Sequence, residues 1–284
     1  MRMTCHRYVG PLILLVSYGA AAEGYVVAIG AEADTEDSYA ISAFGELAVG
    51  DSTWLSAGAA MSRADVPEAS FDSIDADVQI DRLFERWSEH LGVRLAVAYW
   101  GDSDVLESVD LRSSIYLTYP GFSLSADFER RNYDLVLGPP VLRDSRTAEF
   151  SADGVGFAGR LQTGERVSVY AGGMWYDYSR HAGLRPRIDE LRFLSLSRLI
   201  LGNGLIDSKS HAGIEVEFGL RVLDFSYANW QSAAAQGGSI DSFGVGFLTP
   251  LGTASDIEFR LSRDESDVFG DSTVVSVFLY FFGG

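Results

Sequence analysis

FDSIDADVQIDRLF, residues 71–84, puts Ile74, Ala76, Val78 and Ile80 on one side of an extended chain, and Ser73, Asp75, Asp77, Gln79 and Asp81 on the other. One face is greasy and the other is acidic. The same period of two returns along the chain. Phe122, Leu124, Ala126 and Phe128 oppose Ser123, Ser125, Asp127, Glu129 and Arg131, while Ile214, Val216, Phe218 and Leu220 oppose Glu215, Glu217 and Arg221. Ile257, Phe259 and Leu261 oppose Asp256, Glu258 and Arg260, and Leu91, Val93, Leu95, Val97 and Tyr99 make a further apolar row. Each row approaches the roughly nine to eleven residues that a tilted strand needs to cross a bilayer.

A soluble sandwich of two sheets alternates too, so other features must separate it from a membrane barrel. Connections are short at Gly50-Asp51-Ser52, Tyr119-Pro120-Gly121, Thr163-Gly164-Glu165 and Val222-Leu223-Asp224; between them come longer polar ones such as 135–146 and 263–271. Short turns at one end and long loops at the other describe a transmembrane barrel. Aromatic residues recur near strand ends, at Tyr25, Tyr39, Trp54, Trp87, Tyr99, Trp100, Tyr119, Phe122, Trp175, Tyr227 and Trp230, where a ring can sit half wet at headgroup depth. Apolar residues form 47% of the chain, yet no segment beyond the first 22 residues is a continuous apolar run of the ~20 residues a helical span requires.

The first residues read as an export leader. Arg2, His6 and Arg7 form a basic head, VGPLILLVSY (9–18) an apolar middle, and Ala20, Ala21 and Ala22 a small-residue cleavage site. This predicts a cleaved signal peptide over 1–22 and a single domain over 23–284. The one cysteine, Cys5, falls in the leader, so no disulfide is expected to staple the mature protein. With 40 acidic residues against 22 Lys and Arg, a formal charge of −18, a basic nucleic-acid-binding face is excluded. Lys209 is the one lysine; every other cation is arginine, the residue suited to planar pairing with carboxylates.

The chain closes on TVVSVFLYFFGG, residues 273–284. VSVFLYFF with its Tyr280-Phe281-Phe282 ending resembles the terminal strand of Gram-negative outer-membrane β-barrels. That family ends on an aromatic residue with tyrosine two positions earlier; here Gly283 and Gly284 follow. The resemblance implies recognition by the barrel-assembly machinery, residence among outer-membrane lipids and lipopolysaccharide, and a porin-like fold. Two registers stay open: Phe278, Tyr280 and Phe282 face lipid, or Val277, Leu279 and Phe281 do.

Pattern and connections together predict an all-β, transmembrane, antiparallel up-and-down barrel of about fourteen strands, with twelve or sixteen also compatible, since boundaries read this way shift by about two to four residues. The expected strands are 25–34, 38–49, 53–63, 71–84, 89–101, 104–119, 121–134, 146–161, 166–180, 210–221, 223–233, 240–248, 254–264 and 272–282. In the eighth, Phe150 and Phe157 have opposite parity, and Gly154, Gly156 and Gly159 would permit a bulge. Those glycines also spell GVGFAG, a formal G-x-G-x-x-G match with Asp177 downstream, but RLQTGERVSVY after it reads as strand, turn and strand where a nucleotide site needs a helix.

Residues 184–207 form the longest insertion. In RIDELRFLSLSRLILGNG, Asp189 and Glu190 open a possible helix, Arg198 lies near its end and Gly202 beyond it. It is expected to be a partly helical extracellular loop folding over the mouth or into the lumen, with an extra strand pair as the alternative. His181 and His211 are expected at the rim flanking it, with Asp177, Ser179, Asp207 and Ser210 nearby. A rim histidine beside Ser or Asp is the arrangement of outer-leaflet barrel hydrolases and proteases.

The expected pore lining is Asp75, Asp77, Asp81, Arg94, Asp110, Arg112, Asp127, Glu129, Arg131, Glu215, Glu217, Arg221, Asp256, Glu258 and Arg260, joined by Glu32, Glu46, Glu149, Arg160 and Arg166. Acid exceeds base on that wall. The expectation is a monomeric, narrow, passive channel for small polar or cationic solutes, with no cofactor, no metal and no catalytic residues. The other readings are the rim enzyme and a non-conducting structural or secretion-accessory barrel.

Overall fold

A computed structural model describes residues 24–66, 69–84, 90–102, 106–137, 146–179, 205–233, 238–266 and 270–283. Fourteen strands close into one antiparallel barrel in chain order, β14 pairing with β1. They are β1 Tyr25–Asp34, β2 Tyr39–Gly50, β3 Thr53–Val66, β4 Ala69–Leu83, β5 Leu91–Asp102, β6 Leu106–Tyr119 and β7 Phe122–Leu137. The chain continues through β8 Arg146–Gln162, β9 Val167–Tyr178, β10 Ile206–Phe218, β11 Arg221–Ser232, β12 Ser239–Pro250, β13 Ser255–Ser266 and β14 Ser272–Gly283. Closure leaves no unpaired sheet edge, which matters because an edge inside hydrocarbon would expose N–H and C=O groups that lipid cannot satisfy.

The alternation in the sequence becomes the wall's two faces. Ile74, Val78 and Ile80 point outward and are exposed, as are Leu95 and Val97 on β5, Leu124 and Phe128 on β7, and Phe259 and Leu261 on β13. Polar residues cap this band at the end away from the termini. There Arg130 pairs with Asp153 at 3.3 Å, Arg263 with Glu265 at 3.3 Å, and Arg63 stands in register with Asp72. Exposed Tyr25, Tyr119 and Phe122 edge the band at the terminus-bearing end. A greasy belt edged by rings below and charges above matches a bilayer slab.

Turn chemistry fixes the hairpins. Tyr119 and Phe122 are register partners, and between them Pro120 precedes Gly121, whose φ of 77° fits the second central position of a type II turn. Phe218 pairs with Arg221 across Gly219 (φ 68°) and Leu220, so that turn falls three residues before the expected one at 222–224. In β8 the ladders to β7 and β9 run without a register shift, so the bulge that its glycines would permit is not formed: Phe157 faces outward and Phe150 inward. In β14 the outward row is Val275, Val277, Leu279 and Phe281, while Tyr280 is buried and inward. Of the two open registers, the second is realised. The expected leader 1–22, and the insertion with its helix apart from its last residues, 205–207, lie outside the described residues.

Candidate functional site in the barrel lumen

Large inward side chains are seated by glycines on the neighbouring strand. Tyr176 on β9 is the register partner of Gly154 on β8, and a Cβ on that glycine would come within 2.6 Å of its ring. With no side chain in the way, Tyr176 lies against the wall and donates its hydroxyl to Glu129 on β7 at 2.6 Å. Tyr116 lies over Gly92 and donates to Asp81; Tyr170 lies over Gly213 and donates to Asp224 at 2.8 Å. The GVGFAG stretch is therefore packing: Gly154 makes room for Tyr176, and Gly156 lies against the Gly173 carbonyl and Met174.

Around these tyrosines runs a charged network. Glu129 receives Arg112 at 3.0 Å and Arg131 at 2.9 Å, with Lys209 at 3.7 Å; Arg112 also meets Asp110 at 2.8 Å. Arg131 and Lys209 stand over the Tyr176 ring, 4.9 and 5.6 Å from its centre. Lower in the barrel Arg260 bridges Asp224 at 3.2 Å and Glu258 at 3.3 Å, Tyr280 donates to Glu258 at 2.7 Å, and Arg160 pairs with Glu215. On the opposite arc Arg94 holds Asp81 at 3.0 Å.

Among the described side chains, each inward cation is thus paired: Arg94, Arg112, Arg131, Arg160, Lys209 and Arg260. The inward carboxylates are more numerous. Glu46, Asp77 and Asp256 accept no hydrogen bond and form no ion pair among the described residues, and none of the three is buried. Among the described side chains the inward wall therefore carries more carboxylates than cations.

Fourteen of the fifteen residues expected to line a pore lie on inward faces; Arg221 does not. The chain turns at Gly219, so Arg221 begins β11 at the barrel's end and is exposed. Glu149 is exposed on the outer face of β8 beside Asp134, and Arg166 is exposed in the turn before β9, which corrects their inward placement. Sequence reading missed Lys209, Asp224 and the inward tyrosines. The first two fell in segments read as loop or turn, and alternation does not say whether a ring faces lipid or lumen.

His211 is not at the rim. It faces inward on β10, part-buried, its ring 6.2 Å from that of Tyr170 and its Nε2 unpartnered among the described residues, while Asp207 is exposed at the irregularity between Ile206 and Ser208 and Ser210 is exposed on the outer face. Ser179 and Asp177 are likewise exposed on the outer side, and His181 lies outside the described residues. No described histidine, serine and carboxylate therefore converge as that arrangement requires. Nor, among the described residues, is any group of His, Cys, Asp and Glu placed to hold a metal ion.

Toward the end away from the termini, one arc of the lumen fills with apolar side chains. Trp100, Leu106, Tyr133, Ala152, Ile206 and Trp230 are buried together, and Phe150 stacks on Tyr133 with centroids 4.8 Å apart. Trp100 and Trp230 were expected at headgroup depth; they face the interior instead.

A closed antiparallel sheet, apolar outside and charged within, defines a transmembrane β-barrel. No protein-family model matches the chain, and no curated protein matches it. Among solved structures it resembles the CymD monoaromatic hydrocarbon channel, at 10% identity and TM-score 0.59, over 92% of this chain and 88% of that one. The KdgM porin (7% identity, TM-score 0.47, 90% of this chain and 98% of that one) and the NanC porin (6%, 0.47, 90% and 98%) are matched as well. At these identities the likeness is one of fold.

Proposed function

We propose that the protein is a passive outer-membrane channel, narrow and cation-preferring, for small polar or positively charged solutes. One observation carries this reading: each inward cation described pairs with a carboxylate, whereas Glu46, Asp77 and Asp256 form no ion pair among the described residues. Fixed negative charge in a low-dielectric cylinder raises the local concentration of cations and excludes anions. Fourteen strands also give a bore between the side-chain-filled eight-strand barrels and the water-filled sixteen-strand ones.

In this reading residues 1–22 direct export, the barrel-assembly machinery inserts the β14 end, and a single copy sits among lipid and lipopolysaccharide. The test is reconstitution of the purified barrel in planar bilayers, with reversal potential read under a KCl gradient. A potential of the sign set by K⁺ is expected; one set by Cl⁻ refutes the charge argument. Absence of current favours the non-conducting barrel, for which the apolar filling around Tyr133 and Trp230 is the supporting feature.

A further inference from the structure

The tyrosine rows described above share one design: a ring on one strand, a glycine beside it, and a carboxylate beyond that takes the ring's hydroxyl. In Tyr176, Gly154 and Glu129 the three are direct register partners across β9, β8 and β7. The row across β2, β3 and β4 has the same register, with Phe44 opposite Gly58 and Gly58 opposite Asp77. Here the carboxylate, and not the ring, lies over the glycine. Phenylalanine stands where tyrosine would, so no hydroxyl reaches the carboxylate, and Asp77 accepts no hydrogen bond and forms no ion pair among the described residues.

Asp77 leans over the glycine instead. Its Oδ1 lies 2.6 Å from where a Cβ on Gly58 would be. That lean carries the charge across β3 toward the ring of Phe44, on the next strand about 4.8 Å further on. Asp77 also sits at mid-depth: its outward neighbours Ala76 and Val78 lie halfway along the apolar row from Ile74 to Ile80. A carboxylate there stays ionised only with water or a cation at hand, and an ionisable group at that depth facing the lumen marks a point on a solute path.

We propose that Phe44, Gly58 and Asp77 form a cation subsite that takes a small ammonium group. The carboxylate supplies the opposite charge and accepts N–H donors, the phenyl face supplies cation–π attraction, and Gly58 leaves room for both to approach one guest. A single carboxylate is too few oxygen ligands for a bare calcium or magnesium ion, and the ring favours an organic cation over a strongly hydrated one. The proposal rests on the channel reading for the route by which the cation arrives.

The sharpest variant adds a hydroxyl. Phe44→Tyr keeps the ring and gives Asp77 the donor that Tyr176 gives Glu129. In bi-ionic bilayers, methylammonium against K⁺, the wild-type channel is expected to favour methylammonium. Phe44→Tyr should lower that permeability ratio about fivefold, as one added hydrogen bond worth ~1 kcal/mol would compete for the carboxylate. Asp77→Asn should abolish it, and Gly58→Ala, by displacing the carboxylate, should lower it. A conducting barrel in which Phe44→Tyr and Asp77→Asn both keep the wild-type ratio overturns the subsite and leaves the channel standing. If no current flows, ¹⁵N-methylammonium line broadening by the detergent-solubilised barrel decides separately. Broadening that Phe44→Tyr and Asp77→Asn remove supports the subsite without the channel, and no broadening overturns it. Heat-modifiable mobility in SDS gels confirms that each variant is folded, and the conservative Phe44→Tyr keeps the test open should Asp77→Asn misfold.

Discussion

The Tyr170 hydroxyl donates to Asp224 at 2.8 Å although the two residues stand on β9 and β11, with β10 between them. The reach is possible because Gly213, Tyr170's register partner on β10, offers no side chain to cross. The glycine and the ring act as one unit. Gly213→Ala should therefore destabilise the barrel by about 1–3 kcal/mol through overpacking. Tyr170→Phe should lose about 1.5–3 kcal/mol through a missing bond to a charged acceptor. Urea unfolding followed by tryptophan fluorescence measures both. Once Tyr170 has been replaced by alanine, Gly213→Ala should cost less, because the clash with the ring has gone and only the one with the Phe225 carbonyl, 2.7 Å from the added Cβ, remains.

Arg160 and Glu215 make a simpler pair, both with little solvent exposure. Removing one partner strands the other. Arg160→Met is expected to cost about 3–5 kcal/mol, and the double variant Arg160→Met with Glu215→Leu to regain much of it, since a buried ion pair exchanges more cheaply for an apolar pair than for half of itself. The same unfolding midpoints test this; equal losses in the single and double variants would show that the pair's charge balance is not what matters.

These two arrangements mark what alternation conveys and what it hides. On β4, strict exchange of aliphatic and acidic residues gave the faces of Asp75, Asp77 and Asp81 directly, because lipid demands apolar atoms and a polar lumen does not. On β8 the rule loses force: Phe150 is inward because the far end of the lumen is itself apolar, so hydrophobicity there stops reporting orientation. The same ambiguity hid the tyrosines, and with them the glycine rows. No period marks those rows, since ring, glycine and carboxylate come from three successive strands and meet only once register is set. The turn at Gly219 was missed because Leu220 continues the apolar rhythm of Ile214, Val216 and Phe218 past the strand's end, carrying Arg221 onto the wrong face.

Charge preference should follow pH in a set direction. The lumen's surplus is carboxylate, and carboxylates ordinarily protonate near pH 4, while arginine keeps its charge throughout. Cation preference should therefore persist as pH falls from 8 to 6 and weaken as it approaches 4. Below that it should turn to anion preference as Arg94, Arg112, Arg131, Arg160 and Arg260 become the uncompensated charges. Reversal potentials in a KCl gradient across that range give the result directly. Retained cation preference at pH 3 would mean that the wall carboxylates do not set it.

Val78 faces outward while Gln79, one residue on, faces the lumen. Val78 is 57% exposed on the outer face at the middle of the apolar belt, and Gln79 is part-buried on the inner face beside Ser56. An arginine at position 78 must put its guanidinium into hydrocarbon, at a cost of about 2–4 kcal/mol near the bilayer midplane. An arginine at 79 would enter a wall rich in carboxylates, where Asp77 and Asp81 flank it on the same strand. Val78→Arg should therefore fold poorly into liposomes, while Gln79→Arg should fold like the wild type and draw the reversal potential toward Cl⁻. Because neighbouring residues on a strand point to opposite faces, a shift of register by one would swap the two outcomes. The pair thus reads the facing of β4 from refolding yield alone, before any current is measured.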